Sequence, residues 1–180
     1  RELGYCGQIF RYAIATRRAA RDPSADLRGA LPPAKEGHFA AITDPKAVPA
    51  LLRTLDGYQG TLTVKSALRL APLVFVRPGE LRKAEWADFD LDAAEWRYTV
   101  TKTDTKHIVP LASQAVAILH ELQPLTGAGR YVFAGARSPK RPMSDNAILA
   151  AMRRMGIAKE EMSGHGFRAM ARTILDEVLH

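Results

Sequence analysis

The stretch WRYTVTKTDTKHIVPL, Trp96 to Leu111, decides the fold class. Trp96 to Thr101 and His107 to Leu111 are rich in aromatic and β-branched residues, the composition of half-buried strands. Between them Lys102-Thr103-Asp104-Thr105-Lys106 is short and polar, so the chain folds back on itself as a hairpin. On either side the apolar period is helical. Residues 61–75 read as a largely apolar, buried helix, with Pro72 predicting a kink or an early end. Before it, Gly57 to Gly60 makes a turn, and Thr43-Asp44-Pro45 marks the start of a helix reaching Leu55. Arg77-Pro78-Gly79-Glu80 opens a short helix ending near Trp86. After the hairpin come a helix over Ser113 to Leu122, a short strand at Tyr131 to Phe133, and helices over Ser144 to Met155 and Phe167 to Leu179. The expectation is an α+β domain, mostly helical, with a small antiparallel sheet.

The first residues stand apart. Arg1 to Ala20 reads as a helix with an apolar face of Leu3, Ile9, Phe10, Ala13 and Ile14. Residues 22–37 (DPSADLRGALPPAKEG) have the Pro, Gly and small polar content of an interdomain linker. The expected organisation is therefore a terminal helix of a preceding domain in 1–21, a linker in 22–37, and a second domain in 38–180.

Composition narrows the function. At 180 residues, 47% hydrophobic and 25% charged, the chain has the balance of a globular protein. A domain near this size buries roughly 70% of its unfolded surface without cross-links. The single cysteine, Cys6, excludes an intramolecular disulfide and fits a reducing cytoplasm. No apolar run reaches membrane length, and no carboxylate cluster or His/Cys spacing suggests a metal site. Lys and Arg number 26 against 19 acids, a net charge of +7, and Arg outnumbers Lys. Guanidinium forks suit bidentate phosphate contacts, so the balance points either to a nucleic-acid partner or to the merely basic surface that an Arg-rich, GC-biased genome produces.

Three basic features stand out. In VRPGELRKAEWADFDLD, Pro78 fits the first turn of a helix and leaves Arg77 at its cap, where a cation opposes the helix dipole. That conflict disappears if an anion binds there; otherwise Arg77 is a surface arginine. In TVTKTDTKHIVPL, a lysine at a hairpin tip can enter a DNA groove, give up a proton or touch a phosphate, or merely solubilise the turn. His107 packs its ring at the strand edge. In GHGFRAMARTILDEVLH, His165 and Arg168 share one helix face. The flanking Gly164 and Gly166 permit close backbone approach, or simply end the preceding loop.

Together the three features resemble the tyrosine recombinases, and within them the phage and genomic-island integrases of bacteria. RPGELRKAEWADFDLD, HIVPL, RPMSDNAI and GHGFRAMARTIL carry the resemblance, which runs from about His38 to His180. It implies site-specific DNA recombination and integration by phosphoryl transfer through a 3′-phosphotyrosyl intermediate. Arg77 and Arg168 would clamp the scissile phosphate, and Lys102 would be the general acid for the leaving 5′ oxygen. Lys102 is preferred to Lys106 because it directly follows the β-prone run and matches the family's Thr-Lys-Thr pattern. His165 would accept a proton or donate to the phosphate, with Glu80 buttressing Arg77 and His107 in a supporting position. No cofactor or metal is implied. The implied partner is a double-stranded DNA attachment site, bound by a homo-tetramer of the full-length protein; these 180 residues are expected to be monomeric, cytoplasmic and nucleoid-associated, with no membrane contact.

The family's nucleophile is a tyrosine downstream of His-x-x-Arg. Here Tyr5, Tyr12, Tyr58, Tyr98 and Tyr131 all precede His165. The expectation is a catalytic-domain fragment that stops before its nucleophile and is inactive alone. Three alternatives compete: a non-catalytic DNA-binding relative, a chromosome-dimer resolvase or type IB topoisomerase-like enzyme, and a helical interaction domain whose basic motifs coincide by chance. The last predicts that Arg77, Lys102 and Arg168 lie far apart.

Overall fold

The computed structural model describes residues 2–27, 29–30, 39–100 and 103–179, and divides into two units, Arg1–His38 and Phe39–His180. In the first, helix α1 spans Glu2–Ala15. It ends sooner than the expected Ala20 because the Thr16 hydroxyl donates to the Tyr12 carbonyl and Arg17 turns left-handed at φ 57°. A 3-10 turn over Pro23–Leu27 packs back on α1, so the first part of the expected linker is folded. The turn packs on the buried Gly7, where a Cβ would be in ordinary contact with Ser24 Oγ at 3.5 Å and Asp22 Oδ2 at 3.6 Å. Residues 31–38 lie outside the described residues.

The second unit is built round helix α3, Leu62–Val74, which Thr61 caps by accepting from the Val64 amide. Pro72 stays inside the helix, and the expected early end does not occur. Pro72 is buried, with tertiary packing holding the turn that lacks its amide bond. Helix α2, Val48–Asp56, packs on α3 and starts later than Thr43-Asp44-Pro45 suggested. Asp44 spends its carboxylate on the Lys46 amide, and Pro49 takes the first-turn position instead. Helix α4, Pro78–Arg82, is a single turn that stops well short of Trp86, and Trp86–Asp88 is a separate 3-10 turn.

The sheet follows. Strands β1 (Phe89–Asp90), β2 (Glu95–Val100) and β3 (Thr105–Pro110) form an antiparallel β1-β2-β3 order. Register pairs Trp96 with Val109, Tyr98 with His107, Thr99 with Lys106 and Val100 with Thr105. The hairpin is tighter than expected because β3 resumes at Thr105, which Asp104 permits by taking φ 50°. By the two-residue alternation, Trp96, Tyr98, Val100, Thr105, His107 and Val109 share one face. Arg97, Thr99, Lys106 and Ile108 share the other and are exposed. Trp96 is 1% exposed, so the first face is the one covering the core.

Helix α5, Ser113–Thr126, packs along α3. The expected strand at Tyr131–Phe133 is instead an isolated bridge from Tyr131 to Glu85, followed by the fully buried Val132 and Phe133. A two-stranded ribbon then forms from β4 (Ala134–Gly135) and β5 (Ser138–Pro142). Its two prolines disguised β5, and they are tolerated because no third strand needs their amides. Helix α6, Ala147–Arg154, starts after a Ser144-Asp145-Asn146 turn in which Ser144 Oγ takes the Asn146 amide. Helix α7, Gly166–Leu179, packs against α3. Leu68, Leu70, Leu119, Leu122, Phe133, Met152 and Phe167 are all below 2% or at 2% exposure, forming one core on which these helices converge. Each such side chain stabilises the fold by roughly 1.5–3 kcal/mol through burial.

Candidate active site

The joint between α3 and α4 brings the first arginine into position. Phe75 ends α3 in the left-handed region at φ 53°, an unfavourable conformation for a phenylalanine. Two residues on, Arg77 is extended at the head of α4, and its carbonyl receives the Glu80 and Leu81 amides at 2.9 and 3.0 Å. Arg77 is half-buried and Glu80, on the same single turn, is half-buried as well. At five residues α4 carries little macrodipole, so the cation-versus-dipole conflict suggested by the sequence is small. The positive charge at this end of the domain is that of the side chains.

The loop before α7 delivers the second set. Arg153 on α6 donates to the carbonyls of Ile157 and Met162, latching the loop at both ends. Gly156 begins it at φ 85°, where an L side chain would be strained. The two glycines around His165 are close-approach positions. A Cβ on Gly164 would lie 3.0 Å from Pro78 Cγ, and one on Gly166 only 2.4 Å from the Ala40 carbonyl oxygen. Gly164 therefore lets the His165 loop rest on the first residue of α4. Arg168, in the first turn of α7, donates from Nη1 to the Phe75 carbonyl at 3.0 Å. This bond ties α7 to the strained joint that presents Arg77.

Electrostatics record the convergence. Partial desolvation lowers the His165 pKa from its ordinary value, and the Arg168 and Arg77 guanidiniums lower it further. The Tyr98 phenol is held above its ordinary pKa, by burial first and by the Glu80 carboxylate next; Arg168 and Arg77 pull the other way. Arg77, Glu80, Tyr98, His165 and Arg168 thus form one neighbourhood drawn from α4, β2 and the start of α7. His107 meets Tyr98 edge-on with ring centroids 5.5 Å apart, and is exposed at the margin of this group. Lys102 lies outside the described residues. Lys106 is exposed on the sheet face opposite Tyr98.

Two neighbours carry no signal in the sequence that marks them for this site. Tyr98 is one strand residue among several, and the register puts it on the same face as Trp96. Phe39 stacks on the His165 ring with centroids 4.3 Å apart and planes 12° from parallel. Nothing in the sequence separates that aromatic from the linker it follows. Among the described residues, no three His, Cys, Asp or Glu side chains converge as a metal-binding group.

Such an arrangement sets two guanidiniums near an imidazole whose charged form they disfavour, and can attract an anion. Arg77 and Arg168 are both near enough to His165 to act on its charge. Residues 42–178 match the phage integrase family and residues 1–30 match the phage integrase central domain. The chain belongs to the phage integrase family. It is 36% identical over 184 residues to the integrase of Enterobacteria phage P4, covering 94% of this chain and 42% of that protein. Prophage integrase IntZ of Escherichia coli (strain K12) is 36% identical over 173 residues, with 95% and 42% covered. The chain spans less than half the length of the curated relatives it matches. In fold it is similar to a lambda integrase in a dimer bound to a COC' core site, at TM-score 0.69 and 17% identity over 98% of this chain and 51% of that one. XerA recombinase is also similar, at TM-score 0.61 and 20% identity, with 86% and 57% covered.

Proposed function

We propose that this chain carries the phosphate-binding part of a site-specific DNA recombinase, with double-stranded DNA as its substrate. The observation that supports this reading is that the Arg77 and Arg168 guanidiniums both act on His165, with Arg168 bonded to the Phe75 carbonyl two residues before Arg77. Phosphoryl transfer spreads negative charge over the equatorial oxygens of the phosphate. Guanidinium forks fixed beforehand stabilise that charge without reorganising at the moment of reaction. A neutral imidazole can accept the proton of an attacking hydroxyl or donate one hydrogen bond to the phosphate. Lys102 is the proposed general acid for the leaving oxygen, and the exposure of Lys106 on the opposite face of the hairpin supports that choice. Glu80 is proposed to balance Arg77, with Tyr98 and His107 lining the sheet side.

On this reading, α1 is part of a preceding DNA-binding domain, and the protein works in the cytoplasm. The solved relatives include a lambda integrase tetramer bound to a Holliday junction, which supports a tetramer on DNA for the whole protein. Because every tyrosine here precedes His165, the nucleophile is assigned outside these 180 residues. A nicked suicide DNA duplex tests the proposal. These 180 residues alone should give no covalent adduct, and a natural chain continuing to a downstream tyrosine should give one. Arg77→Gln or Arg168→Gln in that chain should lower the cleavage rate by roughly 100-fold or more. An adduct from the 180 residues, or full activity in either arginine variant, overturns the assignment.

A further inference from the structure

The segment that enters the second unit makes an unusual set of contacts. Phe39 is 65% exposed, yet its ring lies flat on the His165 imidazole at 4.3 Å. Next to it, the Ala40 carbonyl accepts both the Ser163 amide and the Ser163 hydroxyl at 3.0 Å. The Ser163 hydroxyl oxygen in turn accepts the Gly166 amide at 3.1 Å, satisfying one of the free donors at the head of α7. Gly166 has no room for a methyl group, since a Cβ would sit 2.4 Å from the Ala40 oxygen and 3.1 Å from Ala41 Cα. Two positions on, Ile42 packs against the core and anchors the segment from the other side. The two bonds at the Ala40 carbonyl therefore fix this segment to the loop, while Phe39 is not among the core residues. What its ring covers is His165.

We propose that Phe39 is a positioning residue for His165, stacking on the imidazole to fix its ring plane beside Arg77 and Arg168. Its catalytic importance rests on the function proposed above, but the stack itself does not. Packing an apolar ring on one imidazole face removes water from that face and disfavours the imidazolium, in the same direction as the two nearby guanidiniums. The neighbourhood of His165 supplies Arg77 and Glu80 from α4, Tyr98 from β2 and Arg168 from α7, of which the two arginines act on its charge; the strip Phe39-Ala40-Ala41-Ile42 and Ser163 supply no titratable side chain. Phe39 thus acts on His165 by shape and desolvation, and the arginines act on it by charge.

The test is proton NMR of the His165 imidazole across pH in the 180-residue protein, with the resonance assigned by its loss in His165→Gln. The parent protein should show an upfield ring-current shift and a titration midpoint below that of an ordinary histidine. Phe39→Ala should lose the ring-current shift and move the midpoint upward. Phe39→Tyr should keep both, and Phe39→Leu should lose the ring-current shift while keeping part of the midpoint displacement. Unchanged thermal unfolding in these variants separates positioning from folding. A Phe39→Ala spectrum and midpoint matching the parent, or a Phe39→Tyr variant behaving as Phe39→Ala does, overturns the proposal. These spectra read the stack whether or not the protein recombines DNA, so a failed suicide-substrate assay leaves this result standing.

Discussion

Gly166→Ala is the sharpest probe of how the His165 loop is held. The added Cβ would lie 2.4 Å from the Ala40 carbonyl oxygen, 2.8 Å from Met162 Sδ and 3.1 Å from Ala41 Cα. The methionine can swing aside, but the other two atoms are backbone. Either the 40–42 strip lifts away from Ser163 or α7 moves outward, and overpacking of this kind costs about 1–3 kcal/mol. Alanine at the first residue of a helix recovers part of this, up to roughly 1 kcal/mol, by narrowing the unfolded chain. The net expectation is a loss of about 1–2 kcal/mol, or roughly 2–8 °C in Tm for a domain of this size. Gly79→Ala is the matched control: Gly79 sits in α4 with no atom within 4 Å of an added Cβ. It should be neutral or raise Tm slightly. Urea and thermal unfolding of the two variants and the parent decide the matter. If Gly166→Ala is as stable as the parent, or Gly79→Ala is the more damaging, the close-approach account of the glycine pair is wrong.

Other consequences can be read from single side chains. Ser66 is fully buried on α3, and its hydroxyl has no hydrogen-bond partner among the described residues. Ser66→Ala should therefore stabilise the domain by about 1 kcal/mol, and a lower urea midpoint would show a partner exists. Arg168→Gln removes an exposed bond to the Phe75 carbonyl and should change unfolding free energy by about 1 kcal/mol or less. The same variant should raise the His165 titration midpoint by removing a neighbouring cation. Because His165 has a folded pKa below its unfolded value, its contribution to stability is complete above the unfolded pKa. It is lost as pH falls through the unfolded and then the folded pKa. His165→Gln should flatten that part of the stability–pH curve, and an unchanged slope there would refute the depressed pKa.

The hairpin shows how the sequence makes the fold legible. Its β-branched and aromatic runs mark two strands, while the face that Trp96 takes comes from the register and its burial; β1 is two residues long and leaves no pattern to read. The ribbon of β4 and β5 was hidden by Pro139 and Pro142, residues that normally argue against a strand. Helix starts were misread by several residues wherever a capping side chain served a preceding turn, as with Asp44 and Ser144. Of the two readings that the sequence leaves open for Gly164 and Gly166, close approach is the one the structure shows. The site was opaque where a contact joins distant segments through an ordinary side chain. Phe39 on His165 is such a contact, and so is the Arg168 bond that steadies the left-handed Phe75.

The central claim is that Arg77 and Arg168 act together on a DNA phosphate. It is tested most directly by the salt dependence of duplex binding by the 180-residue protein and three arginine variants. Arg97, on the opposite face of the sheet and paired with Glu95, provides the control. Arg77→Gln and Arg168→Gln should each weaken binding and reduce the slope of log K against log salt by about 0.9, one phosphate contact apiece. Arg97→Gln should leave affinity and slope as they are. Equal losses in all three variants, or none in Arg77→Gln and Arg168→Gln, would contradict the account.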